Sequence, residues 1–327
     1  MKVTRVGIDL AKNHHQVVGL TEAGKVAFNR QLRSRRLLAE LGQLEATTVA
    51  METCAMAHYW GRHIEAMGHE VVLIPPQHSK PFVRGGKSDA RDALGIAEAA
   101  GRPKLRPVPV KSHEQQDLQV LLRHRQRAIR HKTAVANQIR AVAREYGVCF
   151  NAGLKALRCQ LPEALEEGHN ELTPTARYIL AELYNELMGA IETSERFTRM
   201  LIERAQLNPS YRRLQQIPGV RPIVAAAMLA TVGDAKRFPN GRGLAAWLEL
   251  VPKQHGTGGR LTLLGISKNG DRYLRSLVIH GARAALRWAL SKRDHTPLAR
   301  WARRSINAVA VPARPWPRRI RSNGCAG

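Results

Sequence analysis

The chain has 327 residues, 44% of them hydrophobic, enough to build two or three cored domains. Against 26 acids stand 52 lysines and arginines, a formal charge of +26, and an excess of that size is an electrostatic footprint for polyanions, nucleic acid first. No run of about 18 apolar residues is present, the basic residues do not gather into one amphipathic anchor, and Cys54, Cys149, Cys159 and Cys325 show no CxxC spacing, so a membrane partner, a zinc site and a disulfide framework are set aside.

The opening Met1-Lys2-Val3-Thr4-Arg5 runs into a strand pattern rather than a signal peptide, which predicts a cytoplasmic, nucleoid-associated protein. Residues 3–33 then alternate with period two through Val6, Ile8, Val17, Leu20, Val26 and Phe28, with a turn at Glu22-Ala23-Gly24-Lys25. This predicts a three-stranded antiparallel meander. A helix over 37–44, a buried strand over 47–51, a helix over 58–67 and a strand over 70–74 stopped by Pro75-Pro76 follow, then a helix that opens at Asp89.

Asp9 and Glu52 stand at the ends of the first and fourth candidate strands, and Asp89 and Asp92 are one helical turn apart. Acids at a helix start are ordinarily caps or dipole partners, and Lys87 and Arg91 beside them ordinarily balance their charge. In a chain so poor in acids, four carboxylates at the ends of apolar elements also make the oxygen donor set of a hard dication, Mg²⁺ or Mn²⁺. Lys87 and Arg91 would then hold a phosphate. The order β-β-β-α-β-α-β-α with acids at these places resembles the ribonuclease-H-like fold of RuvC-type nucleases. There, two metal ions about 4 Å apart activate a hydroxyl and steady the leaving oxygen.

The stretch Arg102-Pro103-Lys104-Leu105-Arg106-Pro107 reads as an extended linker. Beyond it Leu118, Leu121, Arg125, Ala128, Lys132, Val135, Ile139, Val142 and Tyr146 recur at alternating three and four spacing, a coiled-coil seam. Arg123, Arg127, Arg130, Arg140 and Arg144 lie off it, either tracking a nucleic-acid backbone or forming a solvated face. A helix over 174–206 repeats the pattern at Leu180, Leu183, Leu187, Ala190, Ser194, Phe197 and Leu201 and is the expected antiparallel partner. Residues 147–172, with Gly153, Pro162 and Gly168, read as an irregular tip, and the whole as a scaffold and dimerisation arm.

Residues 214–229, with Ile217-Pro218-Gly219-Val220-Arg221-Pro222 at their centre, resemble a helix-hairpin-helix, whose second helix can offer backbone N–H groups to a phosphate. Arg221 replaces that motif's usual second glycine and adds charge there. Then come Leu250-Val251-Pro252-Lys253-Gln254-His255-Gly256-Thr257-Gly258-Gly259-Arg260 and Gly265-Ile266-Ser267-Lys268-Asn269-Gly270-Asp271-Arg272-Tyr273-Leu274-Arg275. Behind Gly7-Ile8-Asp9-Leu10-Ala11-Lys12 and the Lys87, Asp89, Asp92 spacing, these stretches resemble the DEDD/serine transposases of the insertion-sequence-110 family, in its 1111 branch, over residues 3–290.

The resemblance implies an α/β RuvC-like domain over 1–102, a linker and helical coiled-coil arm over 103–206, a mostly helical transposase domain over 207–311 and an irregular basic tail over 312–327. It implies that Asp9, Glu52, Asp89 and Asp92 bind the metal and that a hydroxyl of the glycine-rich loop cuts DNA through a covalent link. Arg221, Arg260, Lys268 and Arg272 would contact nucleic acid. The family's site is composite across subunits, which implies a dimer and a tetramer on DNA, and a structured non-coding RNA chooses target and donor DNA.

Three departures from the family stand out. Gly256-Thr257 occupies the place of Ser-Ser or Ser-Thr, so Thr257 is the hydroxyl that remains; Ser267 is the nearest serine, in a place that ordinarily caps a helix. Glu249 stands where the family has glycine. After Ala310 an alanine-rich helix gives way to Pro312-Ala313-Arg314-Pro315-Trp316-Pro317-Arg318-Arg319, the mark of a shifted reading frame near Val311 or of a basic DNA-binding tail. Two rival readings are a plain RuvC-type nuclease, which forms no covalent adduct, and a degenerate remnant that binds DNA or RNA without chemistry.

Overall fold

In the computed structural model, which describes residues 2–83, 86, 88–103, 105–267, 270–291 and 296–308, the period-two runs become strands β1 (Val3–Asp9), β2 (His14–Thr21), β3 (Val26–Arg33), β4 (Thr48–Glu52) and β5 (Glu70–Ile74). They form one sheet in the order β3-β2-β1-β4-β5. The meander is antiparallel as expected, and β1, β4 and β5 run parallel. Parallel pairing needs crossovers, supplied by α1 (Ser34–Leu41) and α2 (Ala57–Ala66).

One face of the sheet packs Val6, Ile8, Val49, Met51 and Leu73 against Leu37, Leu41, Trp60 and Ile64 of those helices. The other face receives α4 (Asp89–Ala100), which follows a short α3 (Pro76–Ser79): Ile96 and Ala99 meet Ala50, Val72 and Ile74, while Ala93 and Ala97 meet Val18 and Leu20. This mixed α/β domain is consistent with a RuvC-like fold. The Pro- and Arg-rich connector is no free spacer, because Val108 bridges to Leu73 of β5, and Arg62 of α2 donates to the Lys111 carbonyl at 2.8 Å.

The arm consists of α5 (His113–Arg144), α6 (Leu154–Glu166) and α7 (Pro174–Gln206). Contacts between His131 and Glu186 and between the rings of His124 and Phe197 set α5 and α7 antiparallel. Six of the seven expected α7 seam positions are buried, and Phe197 is half-buried. On α5 the buried stripe is Leu118, Leu122, Ala128, Val135, Ala136, Ile139 and Ala143, so Leu122 takes the place assigned to Leu121, and Arg125, Lys132, Val142 and Tyr146 are half-buried. The stripe widens because a third helix packs on it: α6 brings Leu157 and Leu161 to Ile139, Ala143, Ala176 and Leu180. Hence half of the span read as an irregular tip is helical, with Pro162 inside the helix.

Contact density divides the chain into two compact units, Met1–Phe197 with Leu229–Ala235, and Thr198–Met228 with Lys236–Gly327. The second holds α8 (Ser210–Gln215), most of α9 (Pro222–Val232), α10 (Gly241–Trp247), a ribbon of β6 (Pro252–Thr257) and β7 (Arg260–Ile266), α11 (Arg272–Ser291) and α12 (Pro297–Ala308). The turn before α9 is pressed onto α11, since a Cβ on Gly219 would lie 2.5 Å from the Gly281 carbonyl oxygen. Among the described residues no helix is long and apolar enough to cross a membrane.

Candidate active site

The register places the first two acids side by side. Ile8 of β1 pairs with Met51 of β4, so Asp9 and Glu52, the next residue on each, end adjacent parallel strands. Both are half-buried. Cys54, two residues beyond Glu52, senses them together: burial pushes its thiol pKa up, and the charges of Asp9 and Glu52 push it further the same way. The loop that follows holds Met56 at φ 71°, a left-handed conformation that costs a non-glycine residue roughly 1–2 kcal/mol.

Gly7 brings the other two acids to the same edge. A Cβ there would lie 2.2 Å from the Ala93 carbonyl oxygen and 2.6 Å from the Ala97 nitrogen, so α4 sits directly on the β1 backbone. A Cβ on Gly101, just past the end of α4, would meet the Arg5 guanidinium. The helix therefore runs opposite to β1, and its first turn, Asp89 to Asp92, lies toward the end where Asp9 stands. Ser88 caps that turn, its hydroxyl accepting from the Arg91 N–H at 3.4 Å, so the first-turn acids are not themselves the caps.

Carboxylate oxygens alone suit Mg²⁺ or Mn²⁺. Among the described residues, however, no three histidine, cysteine, aspartate or glutamate side chains converge as a metal-ligand group. The sheet brings Asp9 and Glu52 together; exposed Asp89 and half-buried Asp92 share their edge without closing on them. The Arg91 guanidinium donates to the Gly86 carbonyl at 2.9 Å and is exposed. Lys87 lies outside the described residues.

One contact has no counterpart in the sequence reading. Ser79, at the end of α3 and fully buried, donates its hydroxyl to Glu52 Oε1. No local period or motif marks Ser79; it reaches Glu52 only because the chain turns back after Pro75-Pro76.

In the second unit the glycine-rich loop is a β-hairpin. Thr257 pairs with Arg260, and the two-residue turn between them, Gly258 at φ 56° and Gly259 at φ 79°, has the type I′ signs that glycine adopts without strain. Strand alternation puts Thr257 on one ribbon face with His255, Arg260 and Thr262, and Gly256 on the other with Gln254 and Leu261. The two candidate nucleophile positions therefore point in opposite directions.

Ser267 does not cap α11; Asp271 does, accepting from the Leu274 N–H at 2.8 Å, and the Ser267 hydroxyl is buried with no hydrogen-bond partner among the described residues. Glu249 has φ 58° and ends α10 in a Schellman arrangement, with Leu250 N–H donating to the Ala245 carbonyl and Glu249 N–H to that of Ala246, each at 2.9 Å. Its backbone conformation explains why glycine suits that place. Arg221, Arg260 and Arg272 are exposed, and Lys268 and the tail over 312–327 lie outside the described residues. On the arm, Arg140 is already committed to the carbonyls of Ala136 at 3.2 Å and Gly153 at 2.9 Å.

A transposase family model of the DEDD, IS110 type matches residues 6–148, and one described as transposase of the IS116/IS110/IS902 family matches residues 211–296. The chain is 42% identical to a Pseudomonas aeruginosa protein named "Probable family 20 transposase", over 95% of this chain and 93% of that one. It is 40% identical to the transposase for insertion sequence element IS1111A of Coxiella burnetii, over 94% of this chain and 85% of the relative. To the transposase for IS1328 of Yersinia enterocolitica it is 35% identical, over 86% and 83%. Matched in both its N-terminal and C-terminal parts and alike along nearly its whole length to these proteins, the chain belongs to the IS110 family of transposases.

Proposed function

We propose that this DNA transposase cuts and rejoins DNA with two sets of groups: the carboxylates Asp9, Glu52, Asp89 and Asp92 on a RuvC-like domain over 1–102, and the Thr257 hydroxyl on a transposase domain over 207–311. The observation that carries the reading is that Asp9 and Glu52 each follow the last paired residues, Ile8 and Met51, of adjacent parallel strands, with the first turn of α4 delivered to the same edge by Gly7. Mg²⁺ or Mn²⁺ bound there would supply Lewis-acid stabilisation of charge on the phosphoryl oxygens. Asp9 and Glu52 would hold the ion, with Asp89 and Asp92 as the further carboxylate donors on the same edge. Arg91, beside them, and Lys87 offer charge to the phosphate.

In the covalent step the Thr257 oxygen attacks phosphorus. One new O–P bond forms, one bridging P–O bond to a sugar breaks, and the threonine proton ends on the departing sugar oxygen, with His255 on the same ribbon face as carrier. Rejoining reverses the step with a different sugar hydroxyl. Arg221, Arg260, Lys268 and Arg272 hold the DNA backbone, and the net charge of +26 leaves ample basic surface for a structured guide RNA as well. The arm over 103–206 joins two copies, and pairs of dimers meet on DNA.

The test is an incubation of the chain with Mg²⁺, DNA carrying the element ends and the element's own non-coding RNA, resolved on denaturing gels. A protein–DNA adduct is expected, absent with EDTA and absent in Thr257→Ala. Cleavage without any adduct would replace the proposal by a plain nuclease, and binding with neither would make this copy a remnant.

A further inference from the structure

We propose that Ser79 is a positioning residue for Glu52: its buried hydroxyl holds the carboxylate in the one orientation in which Glu52 can serve as a metal ligand beside Asp9. The inference rests on the reading of Glu52 as a ligand. Ser79 has no exposed surface, and its single hydroxyl proton has two acceptors in reach, Glu52 Oε1 and the Pro76 carbonyl at 3.0 Å. A carboxylate oxygen is a stronger acceptor than a peptide carbonyl, and the serine side chain itself has no exposed surface. With Oε1 engaged, the carboxylate loses its freedom to rotate, and that ordering is in place before any cation arrives.

The segment that carries Ser79 also reaches α4. Thr53 N–H donates to the Ile74 carbonyl at 2.9 Å, which ties the end of β4 to the end of β5. From there Pro75 and Pro76 turn the chain into α3, a single 3₁₀ turn follows over Lys80–Phe82, and Phe82 and Val83 close on α4 at Gly95, where a Cβ would lie 2.8 Å from Val83 Cγ2. Residues 75–83 thus run from the end of β5, where Ile74 pairs with Glu52 of β4, to the helix holding Asp89 and Asp92. Ser79 is the side chain through which that segment grips an acid.

Mn²⁺ affinity of the full-length chain, read by electron paramagnetic resonance titration, tests this with Ser79→Ala, Ser79→Cys and Glu52→Gln. Ser79→Ala and Ser79→Cys are each expected to weaken Mn²⁺ binding about 10-fold, the usual scale for losing an outer-shell partner of a ligand. The thiol fills the volume but donates poorly, so a packing role would spare Ser79→Cys; binding like the parent in that variant overturns the proposal. In the Glu52→Gln background Ser79→Ala should cost nothing further, and a second loss there would also overturn it. Parental Mn²⁺ affinity in Glu52→Gln alone would instead remove Glu52 from the metal site, a separate failure. Metal-free melting temperatures of both serine variants should stay within a few degrees of the parent, which separates orientation of the carboxylate from support of the fold.

Discussion

The end of the sheet in the first unit and the ribbon in the second support their functional groups in opposite ways. Asp9 and Glu52 extend from strands in which Val6, Ile8, Val49 and Met51 have no exposed surface, under helices packed on both faces. By contrast, every residue of β6 is exposed, and Leu261, Leu263 and Leu264 of β7 are 64%, 60% and 51% exposed. A two-stranded ribbon is marginal alone in water. On the proposed reading, the carboxylates that would share a dication stand on a buried scaffold that fixes where their strands end, whereas the proposed hydroxyl sits on an exposed ribbon whose shape is set by its turn.

The sharpest way to break this contrast is to remove the groups themselves. Asp9→Asn and Glu52→Gln should each lower Mg²⁺-dependent cleavage by roughly 10³-fold or more while the circular-dichroism melt stays near the parent's. Thr257→Ala should abolish the adduct with the melt equally unmoved. Restoring an adduct by adding Gly256→Ser to Thr257→Ala would transfer the nucleophile to the other ribbon face, where the added Cβ, 3.2 Å from the Arg260 carbonyl oxygen, requires the facing strand to give by a few tenths of an ångström. Persistent cleavage without Asp9 would leave the rigid end of the sheet with no catalytic role.

A smaller effect separates the two scaffolds by their glycines. Gly7→Ala forces a Cβ into the Ala93 carbonyl and should cost about 3 kcal/mol in urea unfolding, with cleavage falling as α4 is pushed off β1. Gly258→Ala meets nothing within 4 Å and pays only for its left-handed backbone, roughly 1 kcal/mol. Equal losses at the two positions would erase the distinction between a packed and an open support.

Acid should act on the first unit. His58 Nδ1 accepts from the Lys111 N–H at 3.2 Å, and burial, then Lys111 and Arg62, lower its pKa from 6.5 to about 4. Between those values the unfolded chain binds the extra proton and the folded chain does not, so stability is full above pH 6.5 and declines as pH falls toward 4. His58→Gln should flatten that part of the pH–melting curve. Smallest of all, Glu249→Gly should raise stability by about 1 kcal/mol by relieving the positive φ at the end of α10; a loss would mean the glutamate makes a compensating contact.

Much of the first unit was legible in advance, since alternation and apolar period are written in neighbouring residues. The span of β5 and the antiparallel meander follow from valines, leucines and turn residues alone. Local pattern fails where a second partner intervenes. Pro162 reads as a breaker, yet α6 continues through it with Leu157 and Leu161 fixed on α5 and α7. Ser267 has the local look of a cap, but Asp271, four residues on, takes that role.

By itself the sequence determined the family and the order of elements in the sheet domain, and it singled out four acids as candidates, because periodicity and motif spacing are properties of the chain. Tertiary structure alone decided that Asp9 and Glu52 are neighbours, that Gly7 admits α4, and that Ser79 holds Glu52. Each of these depends on strand register, on a side-chain hydrogen bond 27 positions apart or on a backbone approach 86 to 90 positions apart, and no local pattern encodes such a distance.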